Sequence, residues 1–227
     1  MYWQTWENMV LSISSDVKAH FLELQVLTRY VKGVKVERES AELEKFREQI
    51  VQQVKASYTL ESLKEVPLFR TYRNFFWRVG IDPTKIRPAA EALIRRILAD
   101  KPLPKINTVV DAYNLASIKT GIALAAFDEG KLTGNLLMRF AKKGEKFLGI
   151  GMEKPMELEG VEVVISDEEK LVAIYPYRDA DCSKVSDETR DILLLMCGVP
   201  GIGEEILQKA ADVAIEYITR FCGGDAL

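Results

Sequence analysis

Followed for the period of its apolar positions, the chain reads as strands, then helices, then strands again. Over residues 9–36 the runs VLSI and HFLELQVLTRYV, and VKV after Gly33, are rich in β-branched and aromatic residues and predict strands. Ser40 then caps a helix running to about residue 56, with Leu43, Phe46, Ile50, Val51 and Val54 on one face. Over 57–87 aromatic and basic residues interleave with little regular period, and Pro83 and Pro88 bound a turn. Pro88 suits the first turn of a helix AAEALIRRILAD, with Ala90, Leu93 and Ile97 inward, and Pro102 and Pro104 end it.

Asn107 caps the next helix, roughly 108–119, and Gly121 takes the left-handed position after it. From residue 122 the segments IALAAF, NLLMRFA, KFLGIG, VEVVIS, LVAIYPY and ILLLMC read as strands, separated by the turns KLTG, KKGE and SDEE. GEEILQKAADVAIEYITRF closes as a helix, acidic at its start and stopped by Gly223. This order predicts an α+β fold. No internal repeat, low-complexity run or linker interrupts it, so residues 1–227 are expected to form a single domain.

Composition agrees with that picture. The 227 residues are 48% apolar, enough for a substantial core, and the net charge is −3. Cys182, Cys197 and Cys222 are odd in number and have no CxxC spacing, which indicates neither a disulfide framework nor a zinc site. The start, MYWQTWENMVLSIS, lacks the basic and apolar regions of a signal peptide, and no run approaches ~20 apolar residues. A cytoplasmic protein with reduced thiols is expected. The single histidine, His20, lies among strand-like residues and reads as an edge or core side chain; Ser-His-Asp and multi-histidine metal sites are excluded.

The net charge hides a split. Residues 70–105 carry nine basic residues against three acidic, and 153–191 carry twelve acidic against five basic. The first segment admits two readings. Arg73, Arg78, Lys85, Arg87, Arg95 and Arg96 form a phosphate-facing patch beside stacking aromatics, or the aromatics are core and the arginines a solvated face paired with the acidic half. GVPGIGEE opens a helix, but Glu204 and Glu205 would compete with a bound anion there, so a cap is the better reading.

The candidate chemistry lies elsewhere. INTVVDAYNLASIKTGIALAAFD, residues 106–128, sets Asn107, Asp111 and Asn114 on one helix face next to a strand of small residues, with Ser117 a turn further on. That stripe exceeds what capping needs and predicts a pocket. Arg178, Asp179 and Asp181 in YPYRDADCSK cluster after a strand, where they either orient a substrate or fix a loop.

VDAYNLASIKTGIALAAFDEGKL (110–132) resembles the helix-turn-strand segment of the B3/B4 domain of the bacterial phenylalanyl-tRNA synthetase beta subunit. AKKGEKFLGIG and ELEGVEVVISDEEKLVAIYPYRDAD resemble the rest of that domain in order and spacing. GIDPTKIRPAAEALIRRIL with LPKIN resembles freestanding B3/B4 proteins. The likeness covers about residues 70–200 and implies an α+β, B3/B4-type mixed sheet with flanking helices.

It also implies a trans-acting hydrolase that deacylates mischarged tRNA, without metal or cofactor, with RNA rather than DNA or a membrane as partner. Asn114, Asp111, Ser117, Arg178 and Asp179 would line the pocket, and Asn107, Tyr113, Ala125, Phe127 and Leu195 would contact the aminoacyl group. The six basic residues above would hold the acceptor end. The sequence departs from the synthetase at three places. Tyr113 precedes Asn114 where the family has Thr, Ala125 replaces a His, and Leu195 takes the place of the specificity Glu. These changes imply a more apolar pocket that does not select tyrosine. The alternative is a module that keeps the fold and binds RNA, an amino acid or a protein without catalysis.

Overall fold

The computed structural model describes residues 10–227, so most of the stretch read against a signal peptide lies outside the described residues. The chain begins with strand β1 (Leu11–Ile13), helix α1 (Ser15–His20) and strand β2 (Val26–Lys32). The long strand expected over 20–31 thus begins only at Val26, after His20 ends α1 and residues 21–25 turn. Ser14 precedes the helix, only Val17 of its six residues is buried, and so short a segment leaves no readable period.

VKV does not form a strand, although it alternates as one. Val34 N–H bonds to Arg190 O at 2.7 Å while Lys35 N–H bonds to Cys222 O at 2.8 Å, so two different elements take its backbone groups and no ladder forms.

Helix α2 (Ala41–Ser57) starts where expected, with the Ser40 hydroxyl accepting from Leu43 N–H. Helix α3 (Pro67–Arg78) falls inside the segment read as irregular. Its Pro occupies the first turn, and Phe69, Tyr72, Phe75 and Phe76 are buried on one face, a helical spacing obscured by the interleaved arginines. Helices α4 (Ala89–Leu98) and α5 (Thr108–Thr120) follow. Asn107 caps α5 by accepting from Val110 N–H at 2.9 Å. Gly121, at φ 76°, turns the chain directly into strand β3 (Ala123–Asp128).

Strands β4 (Leu136–Phe140), β5 (Lys146–Phe147), β6 (Met156–Glu157), β7 (Val163–Ser166), β8 (Leu171–Ile174) and β9 (Arg178–Asp179) come next. Strand β10 (Ile192–Cys197), helix α6 (Glu204–Cys222) and strand β11 (Asp225–Ala226) complete the chain.

The strands form a mixed five-stranded sheet, β1-β4-β7-β8-β9, in which β1 runs parallel to β4. A second, antiparallel sheet has the order β11-β2-β10-β3, and β5 and β6 make a small hairpin. The architecture is α+β with mixed sheets and flanking helices. Strands β3 and β10 are buried at every position, which explains why ALAAFD and ILLLMC read as continuous apolar runs. One apolar core takes side chains from both sheets and from all the helices. Alternation along β7 sends Val163 and Ile165 into it and Val164 into a smaller cluster with Phe147 and Leu158. Among the described residues no helix is long and apolar enough to cross a membrane.

Candidate functional site

A cavity of about 230 Å³ opens where α5, strands β3 and β10 and the β8–β9 turn converge. Val110, Tyr113 and Asn114 come from α5, Leu124 and Ala125 from β3, Leu195 and Cys197 from β10, and residues 173–179 from the turn. Ala125 and Leu195 are direct cross-strand partners. A methyl opposite an isobutyl group, in sheet positions that larger side chains would fill, leaves the space and makes that wall apolar.

Two buried tyrosines fix the far end. Tyr72 O–H donates to Cys197 O at 2.5 Å and accepts from Ala123 N–H at 3.1 Å, tying the end of β10 to the start of β3. Tyr175 O–H donates to the next carbonyl along, that of Gly198. Gly198 itself allows the close approach of the residue entering β2, since a Cβ there would lie 2.4 Å from Gln25 O. Burial pushes the pKa values of Tyr72, Tyr175 and Cys197 up, so all three stay neutral.

Asp179 stands out among the groups lining the cavity. Its backbone is pinned, with the carbonyl accepting from Ile150 N–H at 2.9 Å and the residue registered against Ala173. The residue as a whole is half-buried, yet its carboxyl lies far enough inside that burial alone pushes the pKa up to about 7. Tyr113 and Cys197 lie near enough for its charge to raise their pKa values further. No described side chain hydrogen-bonds or ion-pairs with the carboxylate. The neighbouring Arg178 turns away: its Nη1 donates to Ile150 O at 3.1 Å and its guanidinium sits 5.1 Å from the centre of the Tyr177 ring. The Asn114 amide, half-buried on the same cavity, makes no hydrogen bond to a described residue either.

The sequence-derived candidates divide. Tyr113, Asn114, Ala125, Arg178, Asp179 and Leu195 meet at this cavity. Asn107, Asp111, Ser117 and Phe127 do not. The Asn107 side chain is consumed in capping. Asp111 shares the helix face but turns toward α2, where Oδ2 meets Arg47 Nη2 at 2.5 Å and Oδ1 accepts from Ile106 N–H at 3.1 Å. Burial raises its pKa, against the opposing pull of the Ile106 N–H and Arg47. Ser117 O–H donates to Ile122 O at 2.6 Å, closing the α5–β3 turn, and Phe127 is fully buried in the core. Tyr175, Tyr177 and Cys197 were not singled out from the sequence; the aromatics flanking Pro176 were the available signal.

The basic segment is not a free phosphate face. Glu91 is fully buried, and Arg73 Nη2 at 2.5 Å, Arg95 Nε at 2.6 Å and Arg87 Nε at 3.7 Å converge on its Oε1. Burial would raise the Glu91 pKa, but the hydrogen bonds from Arg73 and Arg95 outweigh it and hold the carboxyl below its usual range. Arg78, Lys85 and Arg96 remain exposed, with Arg78 donating to His20 O and Arg96 to Pro102 O. The aromatics Tyr72, Phe75 and Phe76 are core, while Trp77 is 57% exposed. Arg73, Arg87 and Arg95 therefore pair within their own segment rather than with the acidic half.

His20 is exposed at the end of α1, edge-on to Phe21 and Phe140, and does not line the cavity. Asp181 pairs with Lys184 at 2.6 Å, away from Asp179's cavity. Among the described residues no three His, Cys, Asp or Glu side chains are grouped to hold a metal.

The profile of the B3/4 domain matches residues 71–223, more than half of the chain and all of the cavity wall. This chain belongs to the B3/4 domain family. Its relatives include phenylalanine–tRNA ligase beta subunits. That of Symbiobacterium thermophilum is 37% identical over 142 residues, 62% of this chain and 16% of the relative. That of Aquifex aeolicus is 37% identical over 101 residues, 44% of this chain and 13% of the relative. This B3/4 chain thus corresponds to a minor part of those subunits' length. Its fold is similar to an N-terminal fragment of the Pyrococcus horikoshii phenylalanyl-tRNA synthetase beta subunit, with a TM-score of 0.52 at 14% identity, covering 96% of this chain and 50% of that one.

Proposed function

We propose that this B3/4 protein is a cytoplasmic hydrolase that removes the amino acid from mischarged tRNA, acting in trans as one domain. The observation that carries this reading is the small apolar-walled cavity ending in Asn114 and Asp179, within the stretch related to the ligase beta subunits. At about 230 Å³ it suits an aminoacyl group and is too small for a nucleotide as well. The amino acid's side chain rests on Ala125, Leu124 and Leu195, and the ester lies at the mouth near Asn114. With Ala125 and Leu195 in place of the His and Glu of the resembling domain, nothing on that wall rewards a tyrosyl hydroxyl, so the substrate is a less polar aminoacyl group.

In the reaction, water adds to the ester carbonyl carbon, the carbon–oxygen bond to the terminal ribose breaks, and that ribose oxygen takes up a proton. Holding water and ester together supplies much of the rate in such a site. The Asn114 amide, free of other partners, is placed to hold the water or the carbonyl oxygen. The exposed Arg78, Lys85 and Arg96 guide the acceptor end; Arg73, Arg87 and Arg95 serve the fold through Glu91. A second reading, a module that binds aminoacyl-tRNA without cutting it, is favoured by the same Ala125 and Leu195.

The test is amino-acid release from a panel of mischarged tRNAs at low salt, wild type beside Asn114→Ala. Hydrolysis of one or more species, falling on the order of 10²-fold in the variant, is the expected result. A flat panel with tRNA binding intact selects the binding module.

A further inference from the structure

The cavity contains a charge that the described residues do not balance. The Asp179 carboxylate lies near Tyr113 from α5 and Cys197 from β10, and Tyr175 and Tyr177, from the turn that precedes β9, line the same cavity. Those groups are phenols and a thiol, and Tyr113, Tyr175 and Cys197 are held neutral by burial. Among the described residues the one cation on the rim, Arg178, spends its guanidinium on Ile150 O and the Tyr177 ring. A half-buried carboxylate without a cation still carries a desolvation cost, and an ion pair supplied by a ligand would recover it. The rest of the wall is apolar. An apolar body carrying one ammonium group matches such a surface.

Resting on the aminoacyl-tRNA reading above, we infer that Asp179 is the anchor for the substrate's α-ammonium group, so that the site selects aminoacyl esters with an apolar side chain and a free amine. The assignment separates Asp179 from the ester: Asp179 positions the substrate, and Asn114 stands nearer the reacting atoms. With its pKa at about 7, the carboxyl is charged only toward the alkaline side of neutrality, and the anchor weakens as it gains a proton.

The probe pair is leucinol, which has an isobutyl side chain and an amine that stays protonated at pH 8, and isohexanol, the same molecule without the amine. Binding to the whole chain is followed by NMR titration. We expect leucinol to bind about tenfold or more tightly than isohexanol at about pH 8, the size of a charge-assisted hydrogen bond. The preference should shrink in wild type at about pH 5.5, and vanish in Asp179→Asn at both pH values. The wild-type pH comparison stands even if the variant misfolds.

Equal affinities in wild type, no binding of either probe, or a preference that survives in Asp179→Asn would overturn the assignment. So would loss of hydrolysis in Asp179→Asn with leucinol affinity unchanged, which would make Asp179 a base. Hydrolysis of mischarged tRNA without a leucinol preference would overturn the anchor alone. A leucinol preference without hydrolysis would overturn the hydrolase alone.

Discussion

At the scale of single residues, Asp179 works against the fold. A carboxyl whose pKa rises from 3.8 to about 7 on folding binds more protons in the native than in the unfolded chain between those values. Native stability therefore falls as pH rises from about 4 to 7, and stays low above that. The full change corresponds to about 4 kcal/mol, and roughly half of that remains once the residue's partial solvent access is counted. Asp179→Asn removes the ionisation. It should be more stable than wild type by about 2 kcal/mol at pH 8, with the difference closing toward pH 4, as read by urea denaturation at each pH. A variant less stable than wild type at pH 8 would mean that the carboxylate has a partner that the geometry does not reveal. A side chain that lowers stability, on a backbone pinned by Ile150, is what a ligand site leaves behind.

At the scale of elements, α3 and α4 are joined through Glu91. Arg73 reaches it from α3 and Arg95 from α4 itself, and Arg87 completes the group from just before α4. Replacing Glu91 with Gln leaves up to three guanidinium groups without their counter-charge, and Glu91→Gln should cost about 3–5 kcal/mol in a thermal or urea unfolding measurement. Because hydrogen bonds from the arginines hold the Glu91 pKa low, its stabilisation persists above the usual carboxylate range and is lost only as pH falls through the depressed value. A cost under about 1 kcal/mol would show the cluster to be a solvated surface group.

The same elements show what the sequence could reveal. Helix α5 was legible because its ends carry their own chemistry, Asn107 at the cap and Gly121 at φ 76°. The buried strands β3 and β10 were legible as apolar runs bounded by turns. Helix α3 was not, because Arg70, Arg73 and Arg78 alternate with its aromatics and suggested a nucleic-acid face; only the partner Glu91, eighteen residues after Arg73, reveals why arginine is there. The Asn107–Asp111–Asn114 stripe was legible as a face, but its destinations were not. The 64 residues that separate Asp111 from its partner Arg47 are bridged only by tertiary packing.

The whole molecule carries −3, so its overall field does not draw in RNA, and any attraction must come from local cations. Nine basic residues between 70 and 105 would suggest many phosphate contacts, but Arg73, Arg87 and Arg95 are bound to Glu91. The other six, Arg70, Arg78, Lys85, Arg96, Lys101 and Lys105, are exposed. For a single-stranded acceptor end each phosphate contact contributes about −0.7 to the slope of log affinity against log salt, so with these six as the contacts a slope no steeper than about −4 is expected for tRNA. Fluorescence anisotropy of labelled tRNA between about 50 and 200 mM salt measures it. Substituting Lys85 with Ala should flatten the slope by about 0.7 at unchanged melting temperature. Arg73→Ala should lower the melting temperature and leave the slope alone. A wild-type slope steeper than about −5 would mean that the Glu91 cluster opens to take phosphate, and the arginines would then belong to the RNA after all. A slope within that bound would fit the proposed reading, in which the aminoacyl group in the cavity identifies the substrate more than the nucleic acid that carries it.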